Sequence, residues 1–291
     1  MAMQICGLGV LSACGRGTVA LKNALLSGAR APAAARAVPP EALDDKALFK
    51  GMRRADRLSK FAVMAAVDAW NDSAAAGMDP SRVGIVLATA LGPHVRTFEF
   101  LDGILDFGHA AASPTAFSHS VHNAAVSYIA GALQTHGPTL TVTDFHFAFH
   151  QALEIAQCWL DEGRCDGVLV GAAEELGEVM LHVCQRMIPA AQGVVPGEGA
   201  AFLLLSNQRE SNYGTLSLET DVPAGAVVAN HSALFGNMMT DSAFHCIAAA
   251  LTLADAPRGD AISCLKIGRG GERKALVLRH QQAGEPAKRR T

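Results

Sequence analysis

The chain has 291 residues, half of them hydrophobic and 18% charged, with a formal net charge of −3. That length suits one large core or two packed halves, and the balanced charge carries no nucleic-acid footprint. Aromatic residues make up only 5%, and Ala and Gly replace them, which lets helices and strands approach closely in a multilayer α/β fold.

Residues 4–11 read as a strand ending in a Gly-containing turn, and Thr18 as the cap of a helix that Gly28 stops. Residues 29–50 mix Ala, Pro and charge, as a surface excursion does. The spacing of Leu58, Phe61, Ala62, Ala65 and Ala69 predicts a helix over 57–71 with one apolar face. A buried strand at 83–88 precedes helices at 95–107 and 120–134. The β-branched run 139–144 is a strand that enters a helix with the apolar stripe Ala148, Ala152, Ile155, Ala156 and Trp159. Residues 165–172 and 199–205 are strands, the first of the continuous apolar type found centrally in parallel sheets. An alternating strand at 213–220, a helix at 238–254 and strands at 261–267 and 274–279 complete a mixed-sheet α/β order.

The seven cysteines are odd in number and form no CxxC pair, which fits free thiols in a reducing cytoplasm better than disulfides or zinc. No apolar run reaches the length of a membrane span, and the first strand lacks the basic flank of a signal peptide. The tail Lys288-Arg289-Arg290 reads as a solvated end. Arg53, Arg54 and Arg57 form a small basic patch, either the solvated start of a helix or a contact for an acidic carrier protein.

The tightest strand-to-helix junction, 143–147, makes an elbow where a nucleophile would stand exposed at the positive end of a helix dipole. It holds neither Cys nor Ser. It offers His146, surrounded by Phe145, Phe147 and Phe149. His119, His122, His146, His150 and Asp144 suggest a metal cluster, with His146 and His150 placed at i, i+4 on one helix face. No HExxH pattern is present, and no metal is predicted. Gly268-Arg269-Gly270-Gly271 lacks the spacing of a phosphate loop and reads as a tight turn.

Six segments, in order, resemble the β-ketoacyl-ACP synthases of the thiolase fold. They are Gly7-Leu8-Gly9-Val10-Leu11-Ser12 with Gly15; Leu25-Leu26-Ser27-Gly28; Ser113-Pro114 through Ser120-Val121-His122-Asn123-Ala124-Ala125; Gly163-Arg164-Cys165-Asp166 with the strand after it; Pro196-Gly197-Glu198-Gly199-Ala200-Ala201; and Ser263-Cys264-Leu265-Lys266-Ile267-Gly268-Arg269-Gly270-Gly271. The resemblance implies a layered αβαβα fold with an N-terminal half at 1–208, a shortened C-terminal half at 209–282 and a flexible tail at 283–291.

In that frame the family's nucleophilic Cys falls on His146, and one active-site His falls on Asn237. The segment carrying the other His has no counterpart, since only about two dozen residues separate Leu205 from His231. The resemblance thus implies a dead homologue of the chain-length-factor kind, with no cofactor, partnered by an active ketosynthase and an acyl carrier protein. Phe117, His119, His122, Asn123, Thr141, Thr143, Phe145 and Phe147 become candidates for tunnel or interface, with an apolar strand 139–144 and helix 120–134 at the subunit contact. Gly268, Gly270 and Gly271 would close beside the vestigial site. Two other readings stay open: a decarboxylase or acyltransferase using His146, and a scaffold that only recruits the carrier protein.

Overall fold

The computed structural model describes residues 2–28, 35–73, 78–187, 194–257 and 260–280. The basic tail and part of the Ala-Pro stretch therefore lie outside the described residues. Strand β1 (Met3–Ser12) turns through β2 (Gly15–Arg16) into α1 (Thr18–Ser27). The cap of α1 is Gly17, not Thr18, and Gly28 ends the helix at φ 60°, a left-handed conformation that glycine adopts without strain. α2 (Arg57–Asp72) starts at Asp56, whose side chain accepts a hydrogen bond from the Ser59 amide at 3.2 Å.

The small residues of β1 and α2 meet directly. A Cβ on Gly9 would lie 2.0 Å from the Ala65 carbonyl oxygen, and one on Gly7 2.2 Å from that of Ala69. Burial on α2 extends past the predicted stripe to Val63, Met64 and Ala66. The reason is that α2 is sandwiched between the sheet and a second helix, α5 (Ala124–Leu133).

β3 (Val83–Thr89) leads to an arm of two helices, α3 (His94–Phe107) and α4 (Pro114–Ser120), followed by α5 (Ala124–Leu133). The helix predicted at 120–134 is α5, which starts four residues later than expected, and the short α4 before it was not predicted. Ser113 caps α4 through the Ala116 amide, Pro114 sits in its first turn, and the extended Val121 breaks the run. β4 (Thr139–Thr143), α6 (Ala148–Asp161), β5 (Gly167–Glu174), α7 (Glu178–Met187) and β6 (Gly199–Ser206) complete the first half. The second half contains β7 (Thr215–Glu219), β8 (Val227–Val228), α8 (Ser232–Phe235), α9 (Ser242–Ala254), β9 (Ala261–Ile267) and β10 (Arg273–Arg279). α9 starts four residues later than predicted, because Asn237 bridges to Pro196 as extended chain.

The strands run β4-β3-β5-β6-β1-β7-β10-β9-β8, with β2 beside β1. Among the described residues, Met3 with Leu216 and Gln4 with Thr215 join β1 to β7. Outward from that joint the pairing repeats. β1–β6 and β6–β5 are antiparallel, then β5–β3 and β3–β4 parallel. β7–β10 and β10–β9 are antiparallel, then β9–β8 parallel. Among the described residues the second series stops one strand short of the first.

The core has two parts. β3 sends Val83, Ile85 and Leu87 to one and Val86 and Ala88 to the other, as strand alternation requires. α2 and α5 cover the first part. α6 and α9 cover the second, and α9 is packed on both β6 and β9, between the two strand groups. Burial of eleven of its residues follows from that central position.

Candidate functional site

The elbow is a four-residue connection, 144–147, between β4 and α6. Asp144 builds it: one carboxylate oxygen accepts from the amides of His146 at 2.6 Å and Phe147 at 2.7 Å, and the other from Gln151 Nε2 at 3.4 Å. The Phe147 amide foremost holds the Asp144 carboxyl below its usual range. α6 begins at Ala148, with Phe147 as its cap at φ −121° and ψ 19°, so His146 does not share a helix face with His150 as the spacing suggested.

His146 is half-buried, its ring 6.4 Å from that of Phe147. Phe147 is wedged more tightly. It meets the buried His150 edge-on at 5.6 Å, carries Lys274 Nζ 5.5 Å from its ring centre, and faces Gly268, where a Cβ would come within 2.8 Å of Cε2. The β9–β10 turn is folded onto the elbow in this way: the Gly270 amide donates to Glu272, and Gly271 takes φ 87°. Burial, and secondarily Lys274 and Lys266, pushes His150 down to about 3, so its imidazole is neutral. Phe145 is 58% exposed, whereas Phe149 is a core residue.

The other candidates fall into separate groups. His122, Asn123, Thr141 and Thr143 surround one hollow between β4 and α5. Phe117 and His119 sit on the arm. Phe117 packs on Phe100 at 5.7 Å, and His119 Nε2 lies 2.7 Å from the Tyr128 hydroxyl. Asn237 is tied to Val195, donating to its carbonyl from both the backbone amide at 2.7 Å and Nδ2 at 3.1 Å. Arg57 is no solvated helix start: it is ion-paired to the buried Glu198 and stacked 4.5 Å over Phe61. Arg53 and Arg54 are exposed.

The sequence reading missed the buried carboxylates. Glu174, at the end of β5, accepts from the Ala90 amide at 2.6 Å and Thr240 Oγ1 at 3.3 Å, binding the two halves together. Burial pushes its carboxyl up to about 7. Asp241, paired with Lys266 at 2.5 Å, stands beside His245, whose Nδ1 accepts from the His231 amide at 3.0 Å. Glu174-Glu175 at the end of an apolar strand was the available signal.

No cysteine lies among the elbow residues 144–147. Cys6, Cys165, Cys246 and Cys264 are buried, and burial pushes Cys6 to about 11 and Cys264 to about 12. Among the described residues no three His, Cys, Asp or Glu side chains group to hold a metal ion, and no helix is long and apolar enough to cross a membrane.

A family model described as the N-terminal domain of beta-ketoacyl synthase matches residues 29–250. The chain belongs to the β-ketoacyl synthase family. A protein of Streptomyces cyaneus named as a polyketide beta-ketoacyl synthase is 30% identical over 250 residues, 70% of this chain and 57% of that protein. The chain spans about half the length of the curated relatives it matches. Solved structures place the family's thiolase-like fold over nearly the whole chain. The ishigamide ketosynthase/chain length factor aligns with a TM-score of 0.77 at 18% identity, covering 97% of this chain and 100% of that one. A type II polyketide ketosynthase in complex with its acyl-carrier protein gives 0.79 at 16%, covering 96% and 99%. The ketosynthase of Xenorhabdus doucetiae in complex with its chain length factor gives 0.66 at 16%, covering 96% and 100%. At these identities the likeness is one of fold. Within it, this β-ketoacyl synthase relative presents an imidazole and a wedged phenyl ring at its strand-to-helix elbow.

Proposed function

We propose that this chain is a non-catalytic, chain-length-factor-like subunit. It pairs with an active ketosynthase in type II polyketide, aryl-polyene or fatty-acid-like synthesis and shapes the tunnel of the growing acyl chain. One observation carries the reading: His146 stands where the family resemblance puts the nucleophilic Cys, and Phe147 fills the space against Gly268. Without a thiolate no acyl-enzyme forms, and the high pKa of the buried cysteines keeps them from substituting.

Two surface features support pairing. β4 ends the strand path, leaving an edge that a stable chain covers or blunts. The arm, joined to it through α5, exposes Leu105, Phe107 and Phe117 at 81%, 77% and 56%, an apolar surface of the kind that marks an interaction site. Exposed Arg53 and Arg54 offer charge to an acidic carrier protein.

The test is co-expression with full-length active ketosynthases. We expect a stable complex on size-exclusion chromatography, aggregation of the chain alone, and no malonyl-carrier turnover by the chain alone. In the complex, Phe117→Ala lengthens the product; an unchanged product profile points to a carrier-recruiting scaffold. A well-behaved lone chain indifferent to every ketosynthase overturns the reading. So does malonyl-carrier decarboxylation by the lone chain that disappears in His146→Ala.

A further inference from the structure

The hollow between β4 and α5 has a volume of about 450 Å³, within the range of small-molecule sites. Its lining departs from the apolar strand the sequence led us to expect. Thr139, Thr141 and Thr143 alternate along β4 and so present one hydroxyl-bearing face. His122 and Asn123 stand opposite, at the start of α5. The Thr141 hydroxyl is buried without a partner, and the Asn123 side chain makes no capping bond. Among the described residues the hydroxyls of Thr139 and Thr143 and the imidazole of His122 have no hydrogen-bond partner.

In the lone chain water can reach the four exposed members of this set. The subunit contact proposed above runs along the same strand and would exclude that water. Each polar group then left unpaired costs about 1–3 kcal/mol. A saturated hydrocarbon in the hollow leaves all five unpaired. A chain carrying carbonyl oxygens gives the hydroxyls, the amide and the imidazole N–H their acceptors.

We infer that this hollow receives the oxygen-bearing part of an acyl chain, with carbonyl or hydroxyl groups meeting Thr139, Thr141, Thr143, Asn123 and His122, and discriminates against a saturated alkyl chain of equal length. The inference rests on the pairing reading, and it selects polyketide-like over hydrocarbon chains among the pathways that reading allows. A site built to hydrogen-bond its substrate rejects the analogue lacking the polar group far more strongly than an apolar site rejects an added one.

The probes are the amide-linked pantetheine analogues of 3-oxooctanoic and octanoic acid, which differ by one carbonyl. Each is titrated calorimetrically into the co-purified complex and into complexes carrying Thr141→Val or Thr143→Val, substitutions that keep strand shape and remove one hydroxyl each. We expect the oxo probe to bind at least tenfold tighter to the wild type and its advantage to shrink at least threefold in either variant. Equal binding of the two probes, preference for the alkyl probe, or an advantage unchanged in both variants overturns the inference. Co-purification is scored separately. If no complex forms, the pairing reading fails, and the same titration on the lone chain decides what the hollow selects.

Discussion

Gly268 and Phe147 fit each other: a single methyl group at 268 would lie 2.8 Å from the phenyl ring and 2.5 Å from the Glu272 carboxylate. Both obstacles are side-chain atoms, and Gly268 is absent from the positive-φ residues, so the constraint is packing rather than backbone. Gly268→Ala therefore costs about 1–2 kcal/mol as an overpacked contact. In a Phe147→Ala background the share of that cost due to the ring disappears. Urea unfolding of the four chains of this double-mutant cycle should give a coupling of about 1 kcal/mol. Additive losses would show that the β9–β10 turn does not rest on the elbow.

Gly9 presents the harder version of the same geometry. Its missing Cβ faces the backbone oxygen of Ala65 at 2.0 Å, and backbone cannot rotate away. Gly9→Ala must push α2 off β1, so a loss of more than about 3 kcal/mol is expected, at the upper end of overpacking costs. Gly131→Ala, on α5 with nothing within 4 Å of its missing Cβ, should be neutral or stabilising by up to about 1 kcal/mol. Comparing the two midpoints by thermal melting checks the claim.

Glu174 makes stability depend on pH. Its carboxyl rises from an ordinary 4.5 to about 7 because it is wholly buried. Between those values the folded chain keeps a proton that the unfolded chain has released, so folding stability falls as pH rises through the window. One such group contributes a slope of up to about 1.4 kcal/mol per pH unit. Glu175, raised to about 7 by burial and by Asp56, acts in the same sense. His150 and His245, pushed down by burial to about 3 and about 4, act oppositely: they withdraw stability as pH falls below 6.5. Glu174→Gln can still accept the Ala90 amide bond and no longer titrates. Denaturant midpoints from pH 5 to 8 should show that it loses less stability than the wild type as pH rises. Parallel profiles would place the proton elsewhere.

Much of this architecture was legible where neighbours in sequence decide the outcome. The Ala stripe of α2 carries its own period, β5 shows as a continuous apolar run, and the short strand-to-helix junction located the elbow because its residues are contiguous. What escaped depends on distant partners or on side chains that compete with the backbone. Asp144 turns the chain through the His146 and Phe147 amides, and α6 starts only at Ala148. Glu198 is meaningful only beside Arg57, 141 positions away. The threonines of β4 were visible as an alternation, but which face meets α5 is fixed by pairing with β3 at Leu87–Thr141. The two-residue β8 has too few residues to show a period, and it takes its place only because β9 offers Ile262 and Ser263 as partners.

The arm gives the sharpest separation between folding and pairing. Leu105 and Phe107 are 81% and 77% exposed at the end of α3, so they add little to the chain's own core. Leu105→Glu with Phe107→Glu should leave the unfolding midpoint of the chain, once kept soluble, within about 0.5 kcal/mol of wild type, as exposed substitutions do. The same pair of charges placed in an apolar contact would be desolvated without partners, at several kcal/mol each. In co-expression with the ketosynthase the double variant should therefore lose the complex by at least a hundredfold in apparent affinity, and the lone variant should aggregate less than the wild-type chain because its exposed apolar surface is smaller. Pull-down yield and light scattering read the two effects independently. Retention of the complex by the charged arm would remove α3 from the subunit contact and leave the β4 edge to carry it alone.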